Sequence, residues 1–119
     1  MAASLRHEHG NLYRIDMTGL LRRADFADCE ATLAEEMRRA GPVKLLFVLT
    51  DFEGWEARAD WNDLTFYVKH GGQIERIAIV ADSQWRNQAL LFAAAGLRRA
   101  PVEFFPHGDL AGAHAWLST

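Results

Sequence analysis

The chain has 119 residues, half of them hydrophobic and 24% charged, and its net charge at pH 7 is −3. This length suits one core, so we expect residues 1–119 to fold as a single domain, and the composition excludes a disordered or fibrous protein. The small negative charge excludes nucleic-acid binding as the main role, because that role requires clustered Lys and Arg.

The cellular compartment is indicated by the cysteine content and by the apolar runs. Cys29 is the single cysteine, so no disulfide can form within the chain, which is typical of a reducing environment. The apolar run around residues 89–97 is far shorter than the ~20 residues that span a bilayer. The start of the chain does not have the pattern of a cleavable signal peptide. We therefore expect a soluble, cytoplasmic protein.

The first predicted element is a β-hairpin. Residues 5–9 and 12–17 alternate apolar and polar side chains on either side of the turn dipeptide Gly10-Asn11. This alternation is typical of two antiparallel strands, each with one buried face. Gly19 is expected to end the second strand.

A long helix is predicted next. Asp25 is expected to be its N-cap, and apolar residues such as Leu33 and Met37 recur at helical spacing after it. The pair Gly41-Pro42 is expected to end the helix, because glycine favours a left-handed cap and proline cannot continue a helix.

The rest of the chain alternates strands and helices. Residues 44–49 form a continuous apolar run, which is typical of a central parallel strand covered on both faces. The later elements are expected to be a loop over 50–59, a helix over 60–70, a strand over 77–81, a helix capped by Ser83 over 84–97, a strand over 102–105 and a helix over 109–117. The order ββαβαβαβα predicts an α/β fold with a single mixed β-sheet, in which an N-terminal antiparallel hairpin joins parallel βαβ strands and helices pack on the sheet.

No residue pattern predicts a catalytic site, a metal site or a bound cofactor. His7 and His9 fall on one face of the first strand, but transition-metal sites usually need three or four ligands and the spacing indicates no third. Cys29 falls on the inward side of its helix, where an inert thiol is expected. His114 falls on the apolar stripe of the last helix, where we expect a hydrogen-bonded interior histidine.

Three carboxylates, Asp51, Glu53 and Glu56, follow the central strand. Ligands of open α/β sheets bind beyond the carboxyl ends of the strands, and paired carboxylates there can do acid–base work or bind a cation. The spacing supplies no nucleophile or orienting group to go with them, and solvated loops are often acidic. An enzyme is therefore the weakest functional hypothesis, and we expect a non-enzymatic protein.

The aromatic residues favour binding over chemistry. Five of them crowd the loop and short helix after the central strand: Phe52, Trp55, Trp61, Phe66 and Tyr67. A helix with aromatics outside its core stripe either packs in a partner interface or covers an apolar cavity. The alternative is that the domain core absorbs all of them. We predict that these five residues bind a ligand or a partner.

Three segments resemble a known family. The sequence RIAIVADSQW at residues 76–85, the pair DW at 60–61 and the closing AWL at 115–117 are similar to the SpoIIAA-like family. This is a bacterial group with the STAS-type fold, related in architecture to CRAL-TRIO lipid-binding domains. The resemblance implies a mixed sheet of four or five strands in a small, dimeric protein. It also implies a mobile aromatic helix that covers an apolar ligand or touches a membrane surface.

The resemblance argues against regulation by phosphorylation. Anti-sigma-factor antagonists of this fold carry a phosphorylatable serine in an Asp-Ser-Ser-Gly-type turn after the central strand. The matching stretch here, residues 50–55, reads TDFEGW and contains no serine. Phospho-regulated antagonism is therefore not expected for this chain.

Two binding hypotheses stay open. The preferred one is an interaction or regulatory module that forms a homodimer or docks a partner through its second helix and the neighbouring loop. The alternative is a binder of an apolar, lipid-like small molecule, or a weak membrane-associating protein, that uses the same helix as a lid. Both depend on a surplus of aromatic residues without catalytic groups.

Overall fold

The computed structural model of the protein describes residues 2–61 and 69–119. Within them, five strands and three helices follow the predicted alternation. The elements are β1 (Ala3–His9), β2 (Leu12–Leu21), α1 (Arg23–Ala40), β3 (Val43–Trp55), β4 (Ile74–Ala81), α2 (Arg86–Phe92), β5 (Val102–Pro106) and α3 (Leu110–Leu117). Short 3-10 turns precede β4 and α2. Residues 62–68 of the predicted helix over 60–70 lie outside the described residues.

The five strands form one sheet in the order β1-β2-β3-β4-β5. β1 and β2 pair antiparallel, and each later pair of neighbours is parallel. This confirms the predicted α/β fold with an antiparallel hairpin at one edge. It also confirms that the apolar run over 44–49 lies in the central strand.

The two faces of the sheet have separate buried cores, because successive side chains of a strand point to opposite faces. On one face, Phe47 and Ile79 share a core cluster with Leu33 of α1 and with residues of α2. On the other face, Leu46 shares a cluster with Leu117 of α3. We call these the α1 face and the α3 face.

β2 and β3 both run beyond their predicted ends. Gly19 does not end β2, and the stretch expected to be a loop after residue 49 continues as strand to Trp55. The two strands stay paired through register shifts on either side of Gly19, which pairs with Phe52. Asp51 has a φ of 48°, a left-handed conformation that marks the bulged position. A bulge interrupts the alternation of side chains, so the sequence pattern concealed the rest of the strand.

Two predicted helix caps are wrong. Asp25 lies inside the first turn of α1, where its carboxylate accepts a hydrogen bond from the Ala2 N–H at 3.2 Å. The first N–H of the helix, on Arg23, instead donates to the Glu56 carboxylate at 3.0 Å. Ser83 makes no side-chain cap either, because a 3-10 turn precedes α2. A cap supplied by a residue so distant in sequence cannot be found from local patterns.

α2 is shorter than predicted and ends at Phe92. The Ala95 N–H donates to the Leu90 carbonyl and the Ala94 N–H to the Leu91 carbonyl, both at 3.0 Å. These two bonds form a Schellman motif, whose left-handed position is usually glycine. Here that position is Ala94, with a φ of 57°. Because alanine gives no local signal for such a stop, the sequence pattern favoured a longer helix.

The last helix confirms its prediction. The Asp109 side chain caps α3 by accepting a hydrogen bond from the Gly112 N–H at 3.1 Å. The His114 ring nitrogens lie 3.1 Å from the Leu110 carbonyl oxygen and 3.0 Å from the Glu8 carboxylate. His114 is therefore a half-buried, hydrogen-bonded residue that ties α3 to β1. No helix among the described residues is long and apolar enough to cross a membrane.

Candidate functional site

The structure describes three of the five predicted site residues. Phe52 and Trp55 lie in the last part of β3, and Trp61 follows it. Phe66 and Tyr67 lie outside the described residues, so their predicted role stays a prediction. Phe52 and Trp55 lie in a strand and not in the predicted loop, and all three residues pack on the core of the α1 face.

The bulges in β3 direct its two aromatic residues to one face. Phe52 pairs with Gly19 and Trp55 pairs with Leu21, and Leu21 is fully buried in the core of the α1 face. A regular strand would place positions 52 and 55 on opposite faces. The extra residues in β3 shift the alternation of its side chains, so that both rings point towards the core of the α1 face. Bulges commonly redirect side chains in this way beside functional sites.

These rings belong to a larger group, which we call the aromatic cluster. Its seven members come from α1, β3, α2 and the segments that follow β3 and β4. They are Phe26, Phe47, Phe52, Trp55, Trp61, Trp85 and Phe92. Phe92 is central, with its ring centroid 4.9 Å from that of Phe26, 5.5 Å from Trp55 and 5.7 Å from Trp61. Most of these contacts are edge-to-face or tilted, the geometry that aromatic rings prefer.

Sequence reasoning missed four of the seven rings. Phe26 and Phe47 lie in a helix and a strand whose apolar patterns predict an ordinary core, Trp85 lies in the 3-10 turn after β4, and Phe92 ends α2. Nothing in their local sequence links them to residues 52–61, because the contacts span separate elements. Their signal was only the high number of aromatics in a chain of this size.

A cavity of about 90 Å³ lies beside the aromatic cluster on the α1 face. Its walls include four rings of the cluster, aliphatic residues of the sheet and of α1, and the turn after α2. The rings are Phe26, Phe47, Trp61 and Phe92. Ala94, the residue in the left-handed conformation, also lines the cavity. Strained residues of this kind cluster at ligand sites.

An ion pair lies in the wall of this cavity. Arg23 and Glu30 of α1 are 3.1 Å apart, with 21% and 17% of their side chains exposed. The Arg23 guanidinium also donates to the Asp60 carbonyl at 3.1 Å and lies 5.6 Å from the centre of the Trp61 ring. The Trp61 indole donates to the Glu56 carbonyl at 2.8 Å. These contacts hold the segment after β3 against the start of α1.

The three candidate carboxylates do not form an acid–base pair. Asp51 and Glu53 are exposed on the bulged part of β3. Glu56 is half-buried and is engaged by the backbone N–H at the start of α1. A structural role therefore accounts for Glu56, and solvent accounts for the other two.

The histidines and the cysteine are not assembled into a site either. A register shift in β1 places His7 opposite Tyr13 and His9 opposite Leu12, so the prediction that both histidines share one face is wrong. No group of three His, Cys, Asp or Glu suited to a metal ion occurs among residues 2–61 and 69–119. Burial, reinforced by the nearby carboxylates of Asp28 and Asp25, raises the pKa of the Cys29 thiol to about 11. The thiol is therefore protonated at neutral pH, as predicted for an inert cysteine.

Comparisons with known proteins agree with this architecture. A crystal structure of an uncharacterised protein with a SpoIIAA-like fold from Shewanella loihica is similar, with a TM-score of 0.69 and 25% identity over 98% of this chain and 92% of that one. No curated protein matches the chain. These comparisons do not test the implied CRAL-TRIO likeness, the homodimer or the lipid ligand, so all three stay predictions. The SpoIIAA-like family model matches residues 12–118, and the chain therefore belongs to the SpoIIAA-like family.

Proposed function

We propose that this protein is a non-enzymatic binding module whose site is the cavity on the α1 face. The carrying observation is the cavity itself, about 90 Å³ in volume and walled by four aromatic rings. Ligand sites are typically concave, mostly apolar and supplied with a few polar groups. Here the Arg23–Glu30 pair and Arg98 are the charged parts of the wall. The SpoIIAA-like family is generally non-enzymatic, in keeping with this proposal.

The size of the cavity limits the ligand. An apolar protein cavity of ~150 Å³ takes benzene, so a cavity of about 90 Å³ takes a narrower apolar group, such as a short aliphatic chain that enters with small movements of the walls. A short aliphatic fragment or one side chain of a partner fits this limit. A full acyl chain does not fit unless the walls move.

Entry of a larger ligand, or contact with a membrane, would require the segment after β3 to move. That segment is held by the hydrogen bond from Arg23 to the Asp60 carbonyl and by the hydrogen bond from the Trp61 indole to the Glu56 carbonyl. Each such bond contributes about 1 kcal/mol. Opening also breaks the ring contacts of Trp61 with Phe26 and Phe92, so a ligand drives it only if it binds the open form more tightly by more than this total. The lid-like role predicted for this part of the chain remains our proposal.

The proposal is tested with n-pentane as an apolar probe. We expect saturating pentane to shift the backbone NMR signals of Leu33, Phe92 and Ala93. Ala93→Val, which fills the cavity, should abolish the shifts. Ala89→Val is the matched control, because Ala89 is equally buried in α2 but does not line the cavity. The proposal fails if wild-type signals do not respond to pentane, or if both variants behave alike.

A second candidate function, self-association, is favoured by two exposed leucines. Leu91 and Leu97 are 76% and 77% exposed, and both lie beside the turn that lines the cavity. Apolar groups displayed in this way often mark a protein interface. The occupant we propose is a second copy of the chain, as the predicted homodimer requires.

Sedimentation equilibrium tests this second candidate. Replacing Leu91 and Leu97 by Ser should convert a dimer into a monomer. Leu20→Ser is the control, since Leu20 is an exposed leucine in another part of the molecule. A wild-type protein that sediments as a monomer at millimolar concentration would exclude self-association.

A further inference from the structure

Two buried hydrogen-bond donors in the aromatic cluster have no acceptor among the described residues. The Nε1 atoms of Trp55 and Trp85 are shielded from solvent and make no hydrogen bond. A buried indole N–H normally finds a partner, and each exception in a native protein calls for an explanation. Trp61 shows the ordinary arrangement, because its Nε1 donates to the Glu56 carbonyl at 2.8 Å.

The two unsatisfied indoles belong to one group of touching rings. The centroids of Trp55 and Trp85 are 6.0 Å apart, with their planes at 76°. Phe52 contacts both, at 4.8 Å and 5.2 Å. The two donors therefore lie in one apolar environment, where an unmade hydrogen bond is most destabilising and a new one is strongest.

Their place in the sheet is a favoured place for ligands. Trp55 is the last residue of β3, and Trp85 lies in the turn after β4. These strands are parallel neighbours, so their carboxyl ends meet at one edge of the sheet, beyond which α/β proteins bind ligands.

One residue connects the indoles with the cavity. Phe92 lines the cavity, and its ring centroid lies 5.5 Å from that of Trp55. Phe92 therefore stands between the cavity and the indoles, and a molecule with its apolar part in the cavity reaches them when this ring changes its rotamer. Side chains at protein binding sites commonly change rotamer when a partner binds.

We propose that the Trp55 and Trp85 indoles determine ligand specificity by donating hydrogen bonds to an acceptor oxygen, a carbonyl or carboxylate, on a small apolar molecule. This inference rests on the proposed function and adds the polar end of the ligand to it. The site has two donors, so it selects acceptors and disfavours pure hydrocarbons and molecules whose polar group can only donate.

The test compares 2-pentanone with n-pentane, which has no oxygen. We expect the ketone to bind about two- to tenfold more tightly, the effect of one hydrogen bond. In the NMR spectrum the indole N–H signals of Trp55 and Trp85 should move downfield with the ketone only. The Trp61 indole is already bonded and Trp116 contacts Phe105 and Arg76 elsewhere, so their signals are internal controls.

Two variants separate this inference from the proposed function. Trp55→Phe and Trp85→Phe remove the donors and keep aromatic rings, so the ketone should lose its preference and bind more weakly than pentane, because its oxygen is then buried without a partner. If neither probe binds wild-type protein, the proposed function fails. If both bind equally, or if the ligand-free protein already shows both indoles hydrogen-bonded to a buried water, only this inference is overturned.

Discussion

The two faces of the sheet are packed in different ways. On the α3 face, aliphatic residues such as Leu46, Val80 and Leu117 form a cluster in which the first is fully buried. On the α1 face there is a cluster of seven aromatic rings, and four of them line a cavity of about 90 Å³ together with a half-buried ion pair. The first face is typical of a structural core, whereas the second has the features of a binding site.

The difference also shows where strain is located. Ala94, in the left-handed conformation, and the unsatisfied indoles of Trp55 and Trp85 all lie on or beside the α1 face. Functional regions commonly have low local stability. They are also where residues adopt conformations or leave polar groups unsatisfied against local preference. The α3 face therefore contributes stability, whereas the strained and unsatisfied groups on the α1 face lower it.

The largest expected change in the free energy of unfolding comes from removing a leucine side chain from each of the two cores. Leu46→Ala should lower the free energy of unfolding by about 3–5 kcal/mol, because Leu46 is fully enclosed on the α3 face. Leu33→Ala should cost less, about 2–3 kcal/mol, because Leu33 borders the cavity and has already lost some of its packing contacts. Urea denaturation measures both. An equal or larger loss for Leu33→Ala would contradict the difference between the faces.

A smaller effect is expected at the distant cap of α1. Glu56→Ala should lower the free energy of unfolding by about 1–2 kcal/mol, because it leaves the Arg23 N–H without its acceptor. Glu53→Ala is the matched control at the same end of β3, where the side chain is exposed, and should change stability by less than about 0.5 kcal/mol. Thermal unfolding of the two variants measures this difference in stability. Equal melting temperatures would show that the Glu56 side chain does not stabilise the start of α1.

Relief of strain at the cavity wall should be smaller still. Ala94→Gly is expected to raise the free energy of unfolding by up to about 1 kcal/mol, since relief of the left-handed alanine exceeds the entropy that glycine loses on folding. Ala95→Gly, one residue along, lacks that strain and should lower stability by about 0.5–1 kcal/mol. Two losses of equal size in chemical denaturation would show that Ala94 is unstrained.

The smallest effect on stability at neutral pH concerns Cys29. With a pKa of about 11 against an ordinary 9.0, the thiolate fraction at pH 8 is about a hundredfold lower. We expect iodoacetamide to alkylate the native protein far more slowly than the urea-unfolded one. The raised pKa stabilises the folded state as long as the thiol is neutral in both states. This contribution is lost as the pH rises from the ordinary pKa of 9.0 towards 11. Alkylation at equal rates in both states would overturn this.

Part of the candidate site was predictable and part was not. The surplus of aromatics at residues 52–61 is visible without structure, and it indicated three members of the aromatic cluster. The partners Phe26 and Phe92 were not predictable as site residues, since their contacts with Trp61 join three separate elements. The inward direction of Phe52 was concealed by the bulge at Asp51.

The sequence by itself determined the order of elements, the mixed sheet, the central strand and the family. These follow from periodicity and local turn residues, which act over a few positions of the chain. Only the tertiary structure decided how far β3 extends, which residue caps α1 and where α2 stops, because long-range pairing and packing override local preference at those points. It also decided that aromatics expected in a loop line the inside of the α1 face. Of the two predicted arrangements, a partner interface or a covered apolar cavity, the proposed site follows the second.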